Sequence, residues 1–197
     1  MKKIIAFRHS QKTDPNADGT EPITAYGAMQ IFAAALVLPL GLIPRCIIHS
    51  GVPRARQCAE IIRAALQSEA PLEVDIGLDI RPMFQQFDPK QALAEIHAAR
   101  TENDSVLTIV RKTAYGQAAR QRITETLLRI ARQTDERGEE TALVVSHSPY
   151  IELAANGTGT EKIPGGLYEA DAIIYEIDNG VIIRSTYLAA PIKGDRI

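Results

Sequence analysis

Cysteine is scarce in this chain of 197 residues, which holds only Cys46 and Cys58. A domain of this length needs no disulfides to fold, because it buries roughly 70% of its extended-chain surface. Cys-x-x-Cys pairs and Cys/His clusters are absent, which argues against a structural zinc site. Cys46 lies in an apolar run and Cys58 in a helical pattern, so both read as small buried fillers. A basic excess is also missing. Lys plus Arg number 22 against 24 Asp plus Glu, a net charge of −2, and a duplex nucleic-acid surface normally carries such an excess. No apolar run approaches the roughly 18 residues of a membrane span. The N-terminal apolar stretch is only Ile4 to Phe7, too short for a signal-peptide core. The expectation is a cytoplasmic protein with neither nucleic acid nor membrane as partner.

What is present is an ordinary soluble mixture, 45% hydrophobic and 23% charged, in a length that suggests one domain over residues 1–197. Lys3 to Phe7 reads as a buried strand ended by Arg8-His9. Ser10 to Pro22 is a long polar loop carrying the turn formers Asp14-Pro15-Asn16 and Asp18-Gly19. Thr24 can cap a helix over about Ala25–Leu38. Pro44 to His49 reads as a second strand, and Pro53 opens a helix to about Gln67. Leu72 to Val74 is a short strand. Gly77 to Phe87 has no clear period. Asp88 and Pro89 signal a short helix to about Ala99, while Val106 to Val110 fits either helix or strand. Gln117 to Gln133 is strongly helical. Thr141 to Ser146 is a strand ended by His147 and Ser148, and Pro149 is read as opening another helix. Ala172–Ile177 and Val181–Tyr187, joined at Asp178-Asn179-Gly180, form a C-terminal hairpin.

This alternation implies an α/β three-layer sandwich, a largely parallel sheet with helices on both faces. Ligands in such sheets bind beyond the carboxyl ends of strands. That rule selects three polar strand ends: Arg8-His9-Ser10, His49-Ser50, and Ser146-His147-Ser148. Arg54, in the first turn of a helix, is unfavourably placed for a cation unless an anion lies between it and the helix end. His49 reads as packing, His97 as exposed, and Arg56 as facing away from Arg54.

Four segments together resemble the histidine phosphatase superfamily, the phosphoglycerate-mutase-like proteins. Arg8-His9-Ser10 resembles the Arg-His-Gly motif. Ser50, Arg54, Ala55, Gln57 and Ala59 fit a Ser-x-x-x-Arg-Ala-x-Gln-Thr-Ala segment. Val144 to His147 resembles the second-histidine strand end. Pro22, Thr24, Gly27 and Gln30 fit Pro-Leu-Thr-x-x-Gly-x-x-Gln. Their order and spacing agree from Ile4 to about Tyr150. Each motif is weak by itself, and the ordered set is specific.

The resemblance implies that His9 takes a phosphoryl group on a ring nitrogen, with Arg8, Arg54 and His147 holding its oxygens. Ser148, through its N–H, and Ser10, through its hydroxyl, are further candidates for substrate binding. It implies no metal and no cofactor. Three positions depart from the motifs. Ser10 replaces Gly, a strain of roughly 1 kcal/mol or more if φ there is positive. Cys58 replaces Thr. The family's Leu-x-Glu…Trp-Glu-Gly acid segment is not matched, and the chain has no Trp; Asp79 is the candidate acid, with Asp88 second. The reduced middle segment resembles that of short phosphohistidine phosphatases. The implied function is a phosphatase for phosphomonoesters or phosphohistidine, with a phosphorylated small molecule or phosphohistidine protein as partner. A catalytically silent phosphate-binding domain and a phosphoglycerate-type mutase are the alternatives.

Overall fold

The computed structural model describes residues 1–13, 21–39, 42–79, 81–84, 87–88, 90, 94–95, 98, 106–155 and 166–193. The Asp14 to Gly19 turns, His97 and most of the helix expected from Pro89 to Ala99 lie outside these residues. Six strands form one sheet: β1 (Lys2–Arg8), β2 (Ile47–His49), β3 (Leu72–Val74), β4 (Thr141–Ser146), β5 (Ala172–Asp178) and β6 (Val181–Leu188). Their order is β3-β2-β4-β1-β5-β6. The first four run parallel, and β5 is antiparallel to both β1 and β6. The hairpin turns where the sequence placed it, with Asn179 at φ 47° and Gly180 at φ 74°, the left-handed pair that such a turn requires.

Alternation along β1 divides the core. Ile4 and Ala6 face one layer, with Ile48 and Val144 from neighbouring strands. That layer is covered by α5 (Ala114–Glu136), through Ala119, Ile123, Leu127 and Ile130. Ile5 and Phe7 face the other layer, with Ile47, Leu143 and Val145. There α1 (Ala25–Leu36) and α2 (Pro53–Ala65) pack through Ile31, Ala34, Ala55, Cys58, Ala59 and Ile62. Both cysteines are buried. Each fully buried Ile or Leu contributes about 1.5–3 kcal/mol, so these two stripes outweigh the polar outer faces of the same helices.

Thr24 caps α1 as its sequence signals, its side chain accepting from Gly27 N–H. The 106–112 segment is resolved as helix α4 (Val106–Lys112), after the single turn α3 (Arg81–Phe84). Thr113 caps α5, and the start of that helix needs Gly116, where a Cβ would stand 1.7 Å from Val110 O. The helix read at Pro149 is corrected. A turn at Ser148–Tyr150 leads only into a four-residue 3₁₀ helix, Ile151–Ala154, whose closing bonds run from Leu153 N to Tyr150 O and from Ala155 N to Glu152 O. Pro149 lacks a donor, and Asn156-Gly157 follows at once, so the signals for stopping outweigh those for starting.

Candidate active site

Parallel register brings distant segments together. Arg8 is opposite Ser146, and His49 is opposite Val145. The residues that follow these strands therefore emerge side by side at one sheet edge: His9 after β1, His147 after β4, Ser50 after β2. His9 N–H donates to Ser146 O at 3.0 Å, and Ser50 N–H to Val145 O at 3.2 Å. Helix α2 starts at Pro53, which sets Arg54 in its first turn above the same edge.

His9 is only 8% exposed. Its Nδ1 lies 2.8 Å from Ser10 O. A carbonyl only accepts, so Nδ1 carries the proton. Burial first, then the charges of His147, Arg54 and Arg8, push the ring well below the usual imidazole range. A neutral ring with Nδ1–H leaves the Nε2 lone pair available. His147 stands beside it, ring centroids 5.2 Å apart and planes inclined at 61°. Arg54 Nη2 lies 3.4 Å from His147 Nδ1, and Ser50 Oγ 3.0 Å from His147 Nε2. Guanidinium only donates, so Nδ1 accepts and Nε2–H donates to Ser50. Burial, then Arg54, Arg81 and Arg8, push His147 down to about 3.

Two guanidiniums complete the group. Arg8 Nη1 donates to Leu167 O, and its Nε has no hydrogen-bond partner among the described residues. The same holds for Arg54 Nε and Nη1, although Nη1 faces the Glu21 carboxylate at 3.8 Å. Buried polar groups are normally paired. Three buried guanidinium N–H positions beside two neutral imidazoles form a donor set suited to a tetrahedral oxyanion.

Other expected residues have different surroundings. Ser10 is fully buried, with Oγ 3.4 Å from Cys58 Sγ. It is not among the residues of positive φ, so the strain expected at this position does not arise. Ser148 donates its hydroxyl to Glu152, a fully buried carboxyl that burial pushes up. The N–H of Ser148 has no α-helix behind it. Glu152 also accepts Leu167 N–H at 2.9 Å, so it braces the segment whose carbonyl holds Arg8. Asp79 is buried, with both oxygens held by Arg81: Nε at 3.0 Å from each and Nη2 at 2.8 Å from Oδ2. Both oxygens thus act as acceptors for Arg81, and the pairing draws Arg81 to where its charge reaches His147 and Arg54. Asp88 is exposed and accepts Lys90 N–H at 2.9 Å. His49 Nδ1 accepts Gly51 N–H at 3.1 Å, and exposed Arg56 pairs with Glu60, as their packing and surface readings anticipate.

Sequence reasoning passed over Glu21, Arg81, Glu152 and Leu167. The Arg81 pairing had a signal. Asp75, Asp79 and Asp88 each accept the N–H two residues on, an Asx-turn habit that places residue i+2 beside the carboxylate. Two hollows elsewhere, of about 710 Å³ near Lys3 and Glu176 and about 530 Å³ near Met29 and Phe32, are lined by neither His nor Cys.

No protein-family model and no curated protein matches the chain. Solved structures do. Phosphoglycerate mutase from Bacillus anthracis str. Sterne superposes with a TM-score of 0.67 at 16% identity, over 96% of this chain and 92% of that one. The chain has the phosphoglycerate-mutase-like fold. Phosphoserine phosphatase from Entamoeba histolytica, in complex with 3-phosphoglyceric acid, has a TM-score of 0.63 at 15% identity and covers 97% of this chain and 98% of its own. The protein histidine phosphatase SixA, complexed with tungstate, has a TM-score of 0.58 at 16% identity, with coverages of 94% and 93%. The architecture expected from the motif resemblance, a phosphoglycerate-mutase-like sandwich, is thus the one observed.

Proposed function

We propose that this chain is a phosphatase that passes a phosphoryl group through His9 to water, on phosphohistidine or on phosphomonoesters with good leaving groups. The observation that carries this reading is the His9 ring, neutral, buried and held by Nδ1–H on Ser10 O, beside Arg8 and Arg54 N–H groups that no described residue satisfies.

In the first step the Nε2 lone pair forms the N–P bond as the P–O or P–N bond to the leaving group breaks. The leaving atom keeps that electron pair and takes a proton from solvent. In the second step water attacks phosphorus, the N–P bond breaks, and His9 recovers its lone pair as the water proton departs. Arg8 and Arg54 stabilise the equatorial oxygens as charge spreads over them. A phosphoryl dianion would offset the guanidinium charges that depress His147. His147 Nδ1 could then take up a proton and donate to the phosphoryl group. With Asp79 tied to Arg81, leaving groups that need little protonation are favoured, and an imidazole on phosphorus is one.

The test is turnover of p-nitrophenyl phosphate and of a phosphohistidine peptide, with acid-labile, alkali-stable labelling of the protein by rapid quench. His9→Ala should lose both label and turnover. Turnover that survives in His9→Ala, or a wild-type protein that binds phosphate and releases no product, would refute the proposal.

A further inference from the structure

The two motif departures nearest the nucleophile touch each other. Cys58 Sγ lies 3.4 Å from Ser10 N and 3.4 Å from Ser10 Oγ. Both residues are completely buried. A thiol that only fills space needs apolar neighbours. This one accepts the N–H of the peptide that joins His9 to Ser10. The next peptide is fixed separately, because Gln11 N–H donates to Gln30 Oε1 at 3.3 Å. Its carbonyl, Ser10 O, is the acceptor of His9 Nδ1–H. Ser10 is therefore pinned on both sides, by Cys58 behind and by Gln30 ahead. Gly27 leaves room for the arrangement, since a Cβ there would stand 2.5 Å from Gln11 O and 3.1 Å from Ser10 Oγ.

We propose that Cys58 is a positioning residue for His9 and that Ser10 is its matched partner, the pair replacing the Gly and Thr of the resembling motif as one unit. The proposal rests on the phospho-His9 reading. The Cys58 contact holds the peptide before Ser10 as Gln30 holds the one after it, so the Ser10 backbone, and with it Ser10 O, is fixed from both sides. With the peptide loosened, the carbonyl leaves Nδ1, and the ring proton is shared with Nε2, where it blocks attack on phosphorus. Burial keeps the thiol protonated; its sulfur accepts from Ser10 N–H, and either the thiol or the Ser10 hydroxyl can donate to the other. Size matters as well. The 3.4 Å gap suits sulfur, whereas an N–H···O bond runs about 2.7–3.2 Å. A serine at position 58 is too short to span it.

The experiment compares wild type with Cys58→Ala, Cys58→Ser, Ser10→Gly and the double variant Ser10→Gly/Cys58→Thr. The two single Cys58 variants should lose about tenfold in kcat, the effect of one buried hydrogen bond acting on the nucleophile, with KM and inhibition by inorganic phosphate unchanged. The double variant should recover most of the loss, because removing the Ser10 side chain lets the backbone close on the shorter hydroxyl. Nitrogen-15 spectra of the His9 ring give a readout independent of turnover: one Nδ1–H tautomer in wild type, a mixture in Cys58→Ala and Cys58→Ser. Folded Cys58 variants with an unchanged ring signal and unchanged kcat would overturn the proposal, whatever their melting temperature. A changed ring signal in a protein whose wild type never turns over would leave the positioning role standing and refute the phosphatase reading instead.

Discussion

Replacing His147 with Asn should flatten the acid limb of the stability curve by a calculable amount. In the unfolded chain the imidazole titrates near its ordinary 6.5, and in the fold it is pushed to about 3. Between those values the unfolded state binds a proton that the native state refuses. The sign follows directly: stability falls as pH drops below 6.5, and the loss is complete only near 3. At a pH of about 5 the difference is roughly 1.5 units, or about 2 kcal/mol at 1.36 kcal/mol per unit. Asn keeps a polar group of similar reach and does not titrate. Urea unfolding of both proteins near pH 7.5 and pH 5 gives four free energies. The drop between the two pH values should be smaller in His147→Asn by about 2 kcal/mol. Groups common to both proteins cancel in this comparison. Identical drops in the two proteins would mean that the fold does not hold this imidazole neutral, and the electrostatic account of the site would fail.

Arg8→Ala and Arg54→Ala should each lower kcat/KM on the order of 10²-fold, as removal of a single preorganised donor does, measured with p-nitrophenyl phosphate on folded protein. Asp79→Asn and Arg81→Ala should give equal losses on activated and alkyl phosphates, because Asp79 acts by holding Arg81. A selective loss of alkyl phosphate turnover in Asp79→Asn alone would restore the acid role. Gly27→Ala should destabilise by about 1–3 kcal/mol, since its Cβ meets the backbone oxygen of Gln11 at 2.5 Å, and thermal unfolding would register it.

The parts of the molecule legible in its sequence are those governed by short-range rules. Thr24 caps α1, Asn179-Gly180 turns the hairpin, and the stripe Ile123, Leu127, Ile130 buries one face of α5. The gathering of the three polar strand ends was legible too, because parallel pairing brings such ends together whatever the side-chain detail. What remained hidden depends on conformations that only packing decides. Val106 to Val110 is too short for its period to separate helix from strand. The backbone at Ser10 could not be inferred from replacing Gly, since a motif glycine can mark either positive φ or close approach. Gly27 is the residue that close approach requires here. For Asp79, the candidate acid, the Asx turn that brings Arg81 beside it is a local signal, while the rotamer that ties up both oxygens is set by packing.

The site heads ride on the ends of adjacent parallel strands, β1, β4 and β2, so their mutual spacing is inherited from the hydrogen-bond ladder of the sheet. Arg54, in the first turn of α2, is set by the packing of that helix on the same sheet. A substitution that slipped the register of β4 against β1 would therefore part His147 from His9 and dismantle the oxyanion grip without touching either imidazole.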